Sequence, residues 1–169
     1  MAGAGGGPGG AATAADARRR LRDALGSLRR ITGSQRLDRL IAERSGVPIG
    51  FAAVAVLGHV IESGPLRMSE LAEVGRVHPA ALTRQVQALE AEGYVERTVD
   101  PEDGRAFVVV STRSGRAAHA RIERVNDEIM ATQLDEWSVG ELDELADLLD
   151  RLILDLRASP ATQRRSEAS

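Results

Sequence analysis

Arginine, glutamine and threonine at helical spacing, with short-chained neighbours, are side chains suited to reading nucleic-acid bases. One stretch of this chain carries them that way. Drawn as a helix over residues 79–92, it puts Ala80, Arg84, Gln87 and Ala91 on one side, Thr83 at their edge, and Leu82, Val86 and Leu89 on the other. The leucine side is a core face. The opposite side is narrow, so a helix backbone can come close to a groove. An Arg there can make paired hydrogen bonds to guanine, a Gln can do so to adenine, and a Thr can meet a phosphate or a thymine methyl. An ordinary solvated helix face has the same composition, and the face alone favours that blander reading. The next stretch of chain shifts the balance. Tyr94–Val99 and Ala106–Ser111 are rich in Val, Thr and aromatics, and between them stands the turn sequence Asp100-Pro101-Glu102-Asp103-Gly104-Arg105. A β-hairpin is expected there, with Arg105 at its tip. Asp103 can pair with Arg105 and fix the loop, or Arg105 can reach a phosphate or a narrow minor groove. The tip can also be a plain polar turn in which Gly104 supplies a positive φ.

Other chemistries find little to use. The three histidines are His59, His78 and His119. His59 and Glu62 have a spacing that suits a metal, but two ligands make a weak site, and a lone helical histidine is usually structural. His78, at the start of the reading helix, is better placed for a phosphate. With no cysteine, disulfides, thiolate metal sites and cysteine nucleophiles are excluded. No serine sits in a nucleophile elbow, no glycine-rich loop follows a strand, and no carboxylate pair has a catalytic setting. Neither an enzyme nor a cofactor is expected. No apolar run approaches the length of a membrane span, and the N-terminus lacks a basic segment followed by an apolar one. A soluble, cytoplasmic protein is the expectation.

The elements that must position these residues are mostly helical. Of 169 residues 26 are alanine and only Phe51, Tyr94, Phe107 and Trp137 are aromatic, which disfavours a large all-β fold. Residues 14–45 read as a long helix on the stripe Leu21, Leu25, Leu28, Ile31, Leu37, Leu40 and Ile41, bent or split at Gly33 and ended by Gly46 and Pro48. A buried helix over 49–62 stops at Gly64-Pro65. Ser69 is the expected N-cap of a short helix over 70–74 ending at Gly75. Pro79 suits the first turn of the reading helix, and Gly93 closes it. A helix over 113–136 follows the hairpin. Ser138 and Glu141 then form a capping box that opens a last helix carrying Leu142, Leu145, Leu149, Leu152 and Leu156. That seam, widened by Leu148 and Ile153, is either a partner-facing stripe or packing within one chain. Residues 1–12 and 159–169 read as disordered tails around a single domain over 13–158.

Charge is uneven along this chain of net charge −3: residues 17–44 carry nine Arg against three acids, a net of +6, and residues 120–157 four Arg against eleven acids, a net of −7. The two segments either attract one another or are two solvated faces.

Residues 66–116 resemble the DNA-binding core of the multiple antibiotic resistance regulator (MarR) family. The matching pieces are SELA at 69–72, TRQVQALEAEGYVER at 83–97, DGR at 103–105 and TRSG at 112–115, with the leucine-rich ending at 138–156. Ala80 stands where the family often has serine, and Gly104 where it often has a second Arg or Asp. The resemblance implies a mainly α fold with a small antiparallel β-hairpin wing: a winged helix-turn-helix over 49–112, with dimerisation helices at 14–45 and 113–157. It implies a homodimeric transcriptional regulator that binds an inverted-repeat operator in double-stranded DNA, more often a repressor. Phosphate or base contacts are implied at Ser69, His78, Thr83, Arg84 and Gln87, with Arg105 in the minor groove. Ala80 and Asp103 belong to the same surface. A small aromatic or anionic effector is a further implied ligand, with Arg residues of the first helix as candidate partners. A module that senses a ligand or a protein and does not bind DNA is the alternative.

Overall fold

The computed structural model describes residues 13–75 and 77–158. The expected tails, 1–12 and 159–169, lie outside the described residues. In chain order the elements are α1 (Ala14–Thr32), α2 (Gln35–Ser45), α3 (Phe51–Ser63), β1 (Leu66–Arg67), α4 (Met68–Gly75), α5 (Pro79–Ala91), β2 (Val95–Val99), β3 (Phe107–Ser111), α6 (Arg113–Gln133) and α7 (Val139–Ala158). Among the described residues the strands form one antiparallel sheet in the order β1-β3-β2. The fold is mainly helical with a small sheet, as expected.

The long first helix is two helices. At Gly33 the chain leaves the helix, and Ser34 starts the next one: its side-chain oxygen accepts the Leu37 N–H at 3.4 Å, while its hydroxyl donates to the Ile31 carbonyl at 2.7 Å. Helix α1 opens on a capping box of Thr13 and Asp16. Ser69 is not an N-cap. It lies inside α4, which begins two residues earlier than expected, directly after β1. The carboxylate of Glu70 takes the Arg67 N–H at 2.7 Å and fixes that junction. Strand β1 has no counterpart in the sequence reading, because two residues show no periodicity. It exists because β3 offers it an edge, pairing Leu66 with Val109 and Arg67 with Val108. Helix α6 ends at Gln133, short of the expected 136, and Ser138 with Glu141 then opens α7 as the spacing predicts.

Two compact units divide the chain, one reaching Asn126 and the other beginning at Asp127, with the boundary inside α6. The core of the first is built from Val47, Ile49, Ala53, Val56, Leu57, Val60, Leu71, Leu82, Val86, Leu89, Tyr94, Val95, Val109, Ala118 and Ile122. It therefore joins α3, α4, α5, the sheet and the start of α6. Helix α1 contributes no buried residue.

Candidate nucleic-acid interface

Helix α5 is fixed on three sides. Leu82, Val86 and Leu89, the predicted core face, are all buried to about 1% exposure or less. At the N-terminus Pro79 takes the first turn, and His78 is the N-cap, its Nδ1 accepting the Ala80 N–H at 3.3 Å. At the C-terminus Gly93 adopts φ 68°, and the chain reverses into β2. That reversal is tied down by the segment 112–115. The Thr112 and Ser114 hydroxyls each donate to the Gly93 carbonyl at 2.7 Å, and the Thr112 N–H donates to the Tyr94 carbonyl at 3.0 Å. Gly115 sits so close that a Cβ there would collide with the Tyr94 backbone. This explains the TRSG motif physically: it is the clamp that holds the start of α6 on the corner between reading helix and wing. An ion pair of 3.0 Å between Arg97 of β2 and Glu90 of α5 bridges the same corner.

With its inner face buried, α5 presents His78, Ala80, Arg84, Gln87 and Ala91 to solvent. Thr83 is half-buried, and its hydroxyl donates to the Pro79 carbonyl at 3.0 Å. Its hydrogen is thus engaged in the helix, so that the oxygen has only lone pairs left to offer. The side chains of Arg84 and Gln87 have no hydrogen-bond or ion-pair partner among the described residues. Ser69 is exposed on α4.

The hairpin forms over β2 and β3, pairing Val95 with Ser111 through to Val99 with Phe107. Its tip is closed by the Asp100 N–H to the Ala106 carbonyl at 2.9 Å and the Ala106 N–H to the Asp103 carbonyl at 2.8 Å. Gly104 is not among the glycines with positive φ, so the tip does not depend on left-handed backbone. Asp103 does fix the loop, but by a different bond from the expected pair. Its Oδ1 accepts the backbone N–H of Arg105 at 3.1 Å, and its Oδ2 lies 3.7 Å from the guanidinium of Arg67. The Arg105 side chain is exposed and unpartnered among the described residues.

Arg67 is the residue that sequence reasoning missed. Its Nε donates to Asp100 Oδ2 at 2.7 Å, and its terminal nitrogen stands 2.6 Å from the same oxygen. Asp100 is buried and also accepts the Glu102 N–H at 2.8 Å. That backbone bond, then Arg67, holds the Asp100 carboxyl below the usual carboxylate range, and Asp100 in turn raises Arg67. The partners are 33 residues apart in the chain, and no local pattern joins them. The histidines off the interface pack: a Cβ at Gly75 would lie 3.6 Å from His59 Cδ2, and one at Gly58 would lie 3.1 Å from His119 Nε2. Among the described residues there is no group of three or more side chains suited to a metal. No helix is long and apolar enough to cross a membrane there.

A family model described as MarR family matches residues 47–106, from the connection before α3 to the far side of the wing tip. The HTH-type transcriptional regulator YxaD of Bacillus subtilis is 34% identical over 97 residues, which are 57% of this chain and 68% of that protein. Among solved structures, a probable transcriptional regulator from Pseudomonas aeruginosa superposes with a TM-score of 0.63 at 30% identity, over 79% of this chain and 99% of that one. A mutant MarR from E. coli, complexed with operator DNA, gives 0.62 at 27% identity, over 79% and 96%. The reading helix, β2 and the wing tip lie in the span that the family model matches, and the chain belongs to the MarR family of winged helix-turn-helix transcriptional regulators.

Proposed function

We propose that the protein is a homodimeric repressor that binds an inverted-repeat operator, with α5 in the major groove and the wing tip in the minor groove, and that a small aromatic or anionic molecule releases it. One observation carries the DNA reading. The outward stripe of α5 is short-chained, and its two base-reading side chains, Arg84 and Gln87, are exposed and uncommitted. In this reading His78 and Ser69 serve phosphates, Thr83 offers its methyl group to a thymine methyl, Ala80 lets the helix approach, and Arg105 reads groove width, with Asp103 holding the tip. The similarity to the mutant MarR of E. coli, which is complexed with operator DNA, supports the DNA-binding reading. Dimerisation is supported by apolar residues that stay exposed: Leu21, Leu28 and Ile31 on α1, and Leu145, Leu148, Leu149, Ile153 and Leu154 on α7. Repression and effector release are carried over from the family.

A two-fold dimer places its reading helices in successive major grooves, with half-sites about 10 base pairs apart centre to centre. Selection of binding sites from random DNA, followed by footprinting, tests this. The expected product is an inverted repeat with that spacing. A lone asymmetric half-site contradicts the dimer geometry. No enrichment at all contradicts DNA binding and favours a sensing or protein-interaction module.

A further inference from the structure

Two arginines and three acids meet at the wing tip, and only one of the arginines is left unengaged. Asp100, with its side chain 7% exposed, takes Arg67 on Oδ2 and the Glu102 N–H on Oδ1. Asp103 takes the Arg105 N–H on Oδ1 and faces Arg67 from 3.7 Å with Oδ2. Glu102 is exposed. The Arg105 guanidinium has no partner among the described residues. Residues 100–105 by themselves hold three acids and one Arg. Such a loop has two faults as a phosphate-seeking tip: its net charge repels DNA, and Asp103, two residues from Arg105, is a ready intramolecular trap for that side chain. Arg67 answers both. Reaching in from β1, it neutralises Asp100 and draws on Asp103.

We propose that Arg67 is the positioning residue of the wing: by occupying Asp100 and Asp103 from behind, it leaves Arg105 free to enter a DNA groove. Arg67 itself touches no DNA. The inference rests on the DNA-binding reading and adds the means by which the tip stays available.

A double-mutant cycle on the full chain tests it, with fluorescence anisotropy on the selected operator carrying A·T-rich or G·C-rich flanks. Arg67→Met keeps the aliphatic stem and removes the charge. It should weaken binding by about fivefold to twentyfold on A·T-rich flanks, and less on G·C-rich ones. Base preference beneath Arg84 should not change. In an Arg105→Ala background the same substitution should cost nothing further, because the side chain it serves is gone. Adding Asp103→Asn to Arg67→Met removes the trap but keeps an acceptor for the Arg105 N–H, and should regain affinity. An Arg67→Met cost that is equal with and without Arg105, or no cost at all, overturns the inference. If Arg67→Met does not fold, as read by its melting curve, Arg67→Lys enters the same cycle. A cost independent of Arg105 there is equally fatal. Failure of the wild-type protein to select any site sinks the DNA reading itself; specific wild-type binding with an additive cycle sinks only the role of Arg67.

Discussion

Helices α5 and α1 carry the same kind of signal, an apolar stripe at helical spacing, and meet opposite fates. In α5 the stripe of Leu82, Val86 and Leu89 is wholly buried, and the polar face is left outward. In α1 nothing is buried, and Ile31 remains 64% exposed beside Leu21 and Leu28. Periodicity states which face of a helix gains by leaving water. What covers that face depends on neighbours the helix cannot specify alone. The reading helix is covered by α3, α4 and the sheet of its own unit, so its orientation is decided within one chain. The exposed stripes of α1 and, separately, of α7 suit the second copy of the chain in the proposed dimer.

This contrast can be attacked at several points. Truncating the covered stripe should cost most: Leu89→Ala removes a side chain with no exposure and should lower stability by about 2–5 kcal/mol. Chemical denaturation measures it, and a loss near zero would mean that the leucine stripe does not hold α5 in place. On the uncovered side, Leu149→Asp should leave the winged-helix unit folded while shifting a dimer to monomer in sedimentation. Operator affinity should fall about a hundredfold, because two linked half-sites become separate binding events. A variant that stays dimeric would remove α7 from the interface. A dimer whose affinity does not respond to salt would leave no role for attraction between the basic amino-terminal and acidic carboxy-terminal segments.

Within the DNA face, Arg84 and Arg105 should fail differently. Arg84→Ala should cost about 1–3 kcal/mol and relax preference at one position per half-site. Arg105→Ala should weaken all sites more evenly, with a larger effect on A·T-rich flanks and a shallower salt dependence. Titration of both against flank-swapped operators at two salt concentrations separates them. If Arg105→Ala binds like wild type on every flank, the hairpin is not a DNA-contacting wing.

The smallest effect concerns acid. Asp100 is held below the usual carboxylate range by the Glu102 N–H and by Arg67. Asp16 is lowered first by its bond from Thr13, and Glu141 by its bond from Ser138. A carboxyl with a depressed folded value stabilises the fold fully above its unfolded value, and that gain is lost as pH falls through the folded one. Asp100→Asn should therefore melt below wild type at neutral pH, with the gap closing as pH drops beneath the ordinary carboxylate range. A gap that is constant with pH would mean that the Asp100 charge does not stabilise the wing.

Much of the winged helix is legible in the amino-acid sequence. The α5 faces follow from the positions of Leu82, Val86 and Leu89 alone, since a helix has one period and a leucine one preference. The hairpin follows from turn residues between two β-rich runs, and the start of α7 from Ser138 and Glu141. All of these signals lie within a few residues of the structure they specify. What the tertiary structure decided is non-local. Gly33 marks either a bend or a break, and the Ser34 cap makes it a break. Strand β1 is too short to announce itself and exists only because β3 lies beside it. The TRSG segment is a clamp only once Gly93 and Tyr94 arrive against it. Arg67 meets Asp100 across 33 residues, so the charge balance of the wing tip is set by a residue that no spacing rule connects to it. Local patterns name the elements and their faces, because backbone period and turn chemistry are short-range. Which charge is spent inside the fold and which is left for DNA is settled only when distant segments are packed together.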